Sequence, residues 1–215
     1  MSRWCLVVFA LCAHWAFAGG RDHLEPGLLL ASVSSEQFEE TRIDQNTWAA
    51  EFGGIEGWVT SPHWTLNWDK KNDSYVLRTF AHGFQLGTKD DGGLYEKTIS
   101  SKLGELLREV WFRILMTTRY TDKPVIGTDG EHYVFYAWVS GYGTMQGGTS
   151  WPNSAEAVYA FVRLGKSVAH FTAQTKGSPT CAQLVNEISM VMSTVAPNQP
   201  LHTDAACGRA GERQR

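Results

Sequence analysis

The sequence predicts an α+β fold, an antiparallel β-meander or sheet with three helices packed mainly on one of its faces. Three patterns predict it. Trp64, Leu66 and Trp68 alternate with Thr65 and Asn67, the period of two expected of a half-buried strand. Leu103, Leu106, Leu107, Val110, Trp111 and Ile114 recur at helical spacing and form one apolar stripe. Short apolar runs separated by turn residues come ahead of and between the helical segments, as in an α+β domain.

The β-structure is expected from Gly54 to about Ser100. Trp58-Val59-Thr60 is a short apolar run before Pro62, and the Trp64–Trp68 strand follows. Lys70-Lys71-Asn72-Asp73 reads as a polar turn, with Tyr75 to Ala81 as the return strand. Phe84-Gln85-Leu86 lies between Gly83 and Gly87, and Asp90-Asp91-Gly92-Gly93 is a further turn before Leu94 to Thr98. The helix with the apolar stripe comes next. Ser100 or Ser101 can cap it, and Glu105 with Arg108 and Glu109 with Arg113 are favourable pairs on its wet side.

A second hairpin is expected where Val125-Ile126 meets Asp129-Gly130, a dipeptide suited to a type I′ turn. His132 to Ser140 returns, apolar on both faces in its middle and so central in the sheet. Residues 141–150 read as a glycine-rich loop. Asn153 and Glu156 fit a capping box for the next helix, whose apolar side is Val158, Phe161, Val162, Leu164, Val168 and Phe171. Gly177 is the expected stop and Ser178-Pro179 the restart of a last helix, with Leu184, Ile188, Val191 and Val195 at helical spacing.

The chain divides into a secretory signal at 1–18, a loosely ordered lead-in at 19–45, one globular domain at 46–196 and a polar tail at 197–215. Arg3, the mainly apolar run from Cys5 to Phe17 and the Ala16-Phe17-Ala18 exit make the signal. The run is shorter than the roughly 20 residues of a membrane span. No later run reaches that length, so no integral membrane segment is expected after cleavage. The expected location is outside the cytoplasm, periplasmic or extracellular. Losing Arg3 leaves 18 basic and 22 acidic side chains, a net charge of −4. That balance argues against nucleic acid, which requires a basic footprint. Two cysteines leave with the signal. Cys181 and Cys207 remain as a disulfide candidate in an oxidising compartment, with free or intermolecular thiols as the alternative.

No cofactor or metal site stands out. Gly141-x-Gly143-x-x-x-Gly147 departs from the dinucleotide fingerprint, and no P-loop lysine follows it. His23, His63, His82, His132, His170 and His202 include no pair at metal-ligand spacing. Ser150 lacks the glycines of a nucleophile elbow. Asn72-Asp73-Ser74 matches a glycosylation sequon in a turn. The candidate binding residues are aromatic or soft: Tyr142, Met145 and Trp151 on the glycine-rich segment, and Trp64 and Trp68 on one strand face.

These residues lead to the expectation of an exported, non-enzymatic binding protein, of the inhibitor or immunity type, with another protein as partner. The alternatives are a hydrolase of envelope or extracellular polymers, which would need Ser150, His132, His170, Asp129 and Glu131 to converge, or a glycan-binding module using Trp64 and Trp68.

Overall fold

A computed structural model of the chain describes residues 24–25, 47–56, 59–60, 62–81, 93–119, 131–139, 143–150, 152–198 and 206–207. The expected signal, the Phe84–Leu86 segment, Val125-Ile126 with the Asp129-Gly130 turn, and both Tyr142 and Trp151 lie outside these residues.

Among the described residues the order is β1 (Trp48–Glu56), β2 (Val59–Thr60), β3 (His63–Asp69), β4 (Ser74–Ala81), β5 (Gly93–Ser100), α1 (Ser101–Met116), β6 (Glu131–Val139), β7 (Gly143–Ser150), α2 (Ala157–Ala173) and α3 (Cys181–Val195). All strands join one antiparallel sheet in the order β5-β4-β3-β1-β6-β7, with β2 beside β1. The fold is α+β. Helices α1 and α2 rest on the sheet, and α3 packs against both of them.

Alternation along each strand sorts its side chains. Ala50, Phe52, Trp64, Leu66, Leu77, Tyr133, Phe135 and Ala137 are buried toward the helices. Phe52 is the hub. Its ring packs edge-on to Trp111 at 6.0 Å and to Phe135 at 5.2 Å, and stacks with Tyr133 at 5.9 Å. The two buried indoles are hydrogen bonded across the layers. Trp64 Nε1 donates to the Gly165 carbonyl in α2 at 2.9 Å, and Trp111 Nε1 donates to the Glu51 carbonyl in β1 at 3.0 Å. A buried indole N–H without such an acceptor is costly, so these bonds also fix the register of helix against sheet. The Tyr75 hydroxyl adds a third tie, donating to Glu105 in α1 at 2.5 Å. Burial, and then the Glu105 carboxylate, push the Tyr75 phenol above the usual tyrosine range.

The expected helix caps hold at α1, where the Ser100 side chain accepts from the Leu103 N–H. Arg108 meets Glu105 and Arg113 meets Glu109 as expected. At α2 the boundaries shift. Asn153 and Glu156 do contact each other, through Asn153 N–H to Glu156 Oε2 at 3.0 Å, but in a turn before the helix begins at Ala157. The helix ends at Gln174, in the left-handed conformation at φ 55°, ahead of Gly177. Helix α3 is started by a Thr180–Gln183 capping box.

Two expectations are corrected. Residues Gly143–Ser150 are not a loop but a strand, paired with β6 from Val139↔Gly143 to His132↔Ser150. Its glycines hide the strand pattern because they lack β-forming side chains, and close backbone approach explains them. Gly148 exchanges both backbone hydrogen bonds with Glu25, at 2.7 and 2.9 Å, and a Cβ on Gly147 would meet Leu24 and Thr118. Leu24, beside Glu25, is fully buried. Strand β1 gave no clear signal of its own before Gly54, since Ala49, Ala50 and Gly53 have low strand propensity, yet it lies between β3 and β6. Ala206 and Cys207 are held against the helical layer. Cys181 and Cys207 stand at disulfide distance with Cα atoms 5.7 Å apart, and the Ala206 carbonyl accepts from Ser100 Oγ at 2.8 Å.

Two outcomes follow for stability. Gly165→Ala adds a methyl that would sit 2.7 Å from the buried Phe52 ring. Helix propensity alone favours alanine by about 1 kcal/mol, but overpacking here outweighs it, and urea unfolding will register a net loss of about 1–3 kcal/mol. Cys207→Ser opens a loop with a sequence separation of 26 residues. It will cost roughly 3 kcal/mol, read as a lower thermal midpoint for the variant and for reduced wild type alike.

Candidate binding site

The sheet has a second face, and alternation puts Glu51, His63, Thr65, Asn67, Val134 and Trp138 on it, away from the helices. Its centre is buried. Glu51 and Thr65 have no exposed surface, and His63 and Asn67 expose 1% each. Asn67 Nδ2 donates to Thr65 Oγ1 at 3.1 Å within this polar cluster. Trp138 differs. It stands opposite Thr144 in β7, next to the Val139–Gly143 pair that ends the ladder, and 47% of it is exposed. Trp48, Trp64 and Trp111 are all buried.

The expected binding residues are distributed unevenly. Trp64 is fully buried in the helix-facing core, so its indole has no surface for a ligand, which removes it from the candidates. Trp68 is half-buried and packs on Tyr75 at 4.7 Å between ring centres. Met145 is half-buried against the same core. The structure does not gather these three into one exposed patch. Tyr142 follows Trp138 by four residues in the sequence and belongs to the segment between β6 and β7.

The hydrolytic candidates separate in the same way. His132 Nδ1 and Ser150 Oγ do meet, at 2.8 Å across the β6–β7 pair. Ser150 is only 1% exposed. Glu131 is the strand neighbour of His132 and so points to the other face, where its carboxylate accepts from the Tyr133 hydroxyl at 3.1 Å. His170 lies on α2, in the helical layer, and Asp129 lies outside the described residues. Among the described residues no group of three or more histidine, cysteine or acidic side chains is placed to hold a metal.

The helical layer has an open groove of about 500 Å³ between α2 and α3. Ser167 and His170 line it from α2, Lys176 from the connecting turn, and Asn186, Glu187 and Met190 from α3. Burial, and then the positive charge of Lys166, hold the His170 imidazole below the ordinary histidine range, so it is neutral at pH 7. Glu187 Oε2 is shielded from water and meets no hydrogen-bond donor.

No protein family, curated protein or solved structure matches this chain. The residues that sequence reasoning missed are Trp138, hidden in an apolar strand whose faces look alike, and the α2–α3 groove, whose polar residues come from two helices and a turn. A half-exposed tryptophan beside a hairpin end has no periodicity signal, because only the sheet order reveals which strand end is left uncovered.

The state of His170 carries a pH dependence. In the unfolded chain histidine takes up a proton near pH 6.5; in the folded chain His170 resists protonation until lower pH. The unfolded state then binds more protons, so stability is lost as pH falls from about 7 toward 5. Lys166, Lys176 and Glu187 are the charged groups around it. Urea midpoints measured at pH 7.5 and 5.5 will fall further for wild type than for His170→Gln.

Proposed function

We propose that this chain is an exported protein that acts by binding another protein, and that it engages its partner through the β6–β7 hairpin with Trp138 as the anchor. Export is read from the signal pattern at 1–18. The binding reading is carried by one observation, a tryptophan left 47% exposed on the side of the sheet away from the helices, in a chain that otherwise buries its described tryptophans wholly or in part. Exposing an indole forgoes a large hydrophobic gain, and tryptophan is the side chain most often found at energetic centres of protein interfaces. Tyr142, four residues beyond Trp138 in the sequence, is the further aromatic candidate of the same hairpin. A net charge of −4 after signal removal suits a basic partner better than an acidic one.

The hydrolytic alternative rests on the His132–Ser150 contact alone, and burial of Ser150 keeps a substrate from its hydroxyl. The glycan alternative loses the face it needs with Trp64 in the core.

The test is capture of partners from the native host by the mature chain, beside Trp138→Ala and, as a surface control, Met116→Ala at an α1 residue that is 60% exposed. The reading requires a stoichiometric protein retained by wild type and by the control and lost by Trp138→Ala. Truncation of a hot-spot residue weakens the complex by about thirty-fold or more. Equal capture by Trp138→Ala would remove the hairpin from the interface.

A further inference from the structure

We propose that the groove between α2 and α3 is a second site, one that binds a small zwitterion of the amino-acid type, with Glu187 receiving its ammonium group and Lys176 its carboxylate. The groove lies in the helical layer, whereas Trp138 sits on the opposite side of the sheet, so the two sites are separate.

Polar groups line the groove without partners in the fold. Several charged side chains outside the groove are engaged: Arg78 with Glu96, Arg108 with Glu105, Arg113 with Glu109, and Lys97 with the Phe171 carbonyl and ring. Lys176 and Glu187 carry opposite charges and line the same space without forming an ion pair within 4.0 Å. Neither the His170 imidazole nor the Asn186 amide finds a hydrogen-bond partner among the described residues.

Glu187 is the most informative. One of its carboxylate oxygens is shielded from water and has no donor. The side chain as a whole is only partly buried and lines the groove, where an ammonium group would supply its carboxylate with a charged donor. An ammonium at Glu187 leaves room for a carboxylate at Lys176. Neutral His170 and Asn186 can then hydrogen-bond the same molecule without adding net charge. Met190, 51% exposed, provides an apolar contact for a side chain. A volume of about 500 Å³ is within the range of small-molecule sites.

The experiment is isothermal titration calorimetry with a parallel thermal-shift measurement on the mature chain. The probes are free glycine, lysine, glutamate, methionine and phenylalanine, glycylglycine, and two controls whose charges are all of one sign, putrescine and succinate. At least one zwitterion is expected to bind. At a concentration a hundred times its Kd it should raise the melting temperature by roughly 5–10 °C, while putrescine and succinate bind at least ten-fold more weakly. Glu187→Gln and Lys176→Ala should each weaken that zwitterion ten-fold or more. Lys176 is exposed, so its variant tests the site without disturbing the core. Three results would overturn the proposal: no heat or shift from any probe at 10 mM, zwitterion binding that neither variant weakens, or putrescine binding as tightly as the zwitterion and indifferent to Lys176→Ala. Loss of partner capture by Trp138→Ala has no bearing on these readings.

Discussion

Two indole N–H groups close the junction between sheet and helices, and the rest of the architecture depends on where they end. Trp64 reaches from β3 to the Gly165 carbonyl of α2, and Trp111 reaches from α1 to the Glu51 carbonyl of β1. Each indole carries a large apolar surface and one donor that must be satisfied when buried. The apolar part brings the layers together without direction; the donor admits few relative positions. Phe52 lies between them, 6.4 Å from Trp64 and 6.0 Å from Trp111, in a space that Gly165 leaves open by having no side chain. A second glycine does the same at the other helix, where Gly104 makes room for the Tyr75 ring. Helix α3 then needs contact only with α1 and α2, and the Cys181–Cys207 link holds Ala206 and Cys207 near the capped start of α1.

The same arrangement divides the molecule into surfaces of different chemistry. The helix-facing side of the sheet is apolar and aromatic. The opposite side holds Glu51, His63, Thr65 and Asn67 in a buried polar cluster, flanked by the His132–Ser150 hydrogen bond. Burying such groups costs stability unless they are hydrogen bonded, and Asn67–Thr65 and His132–Ser150 show how that cost is met locally. The edge of that side ends in exposed Trp138, whereas the far side of the helical layer ends in the polar groove. A protein partner at the first and a small solute at the second would not compete for space.

The sequence was readable where a local period and a local energy coincide. The α1 stripe, the Ser100 cap and the Glu–Arg pairs all depend on residues three or four apart, and they stand as expected. The β3–β4 hairpin was readable for the same reason. Its turn is held by Asp69, which accepts from the Lys71 and Asn72 backbone and from the Asn72 side chain, and these bonds, with Asn72 the largest influence, keep the Asp69 carboxyl below the usual range. Strands β1 and β7 were not readable. Their glycines and alanines carry little strand propensity, and they are strands because neighbours far away in sequence pair with them.

By itself, then, the sequence determined the α+β class, the three helices, the interior place of β6 and Cys181 and Cys207 as the candidate pair. Local periodicity, capping chemistry and composition are enough for those. Tertiary structure alone decided that β1 lies between β3 and β6, that Trp64 faces inward while Trp138 faces water, and that His170, Lys176 and Glu187 share a groove. Alternation assigns side chains to two faces but carries no information about which face is covered. That depends on where the helices pack, and here the two indole hydrogen bonds fix it.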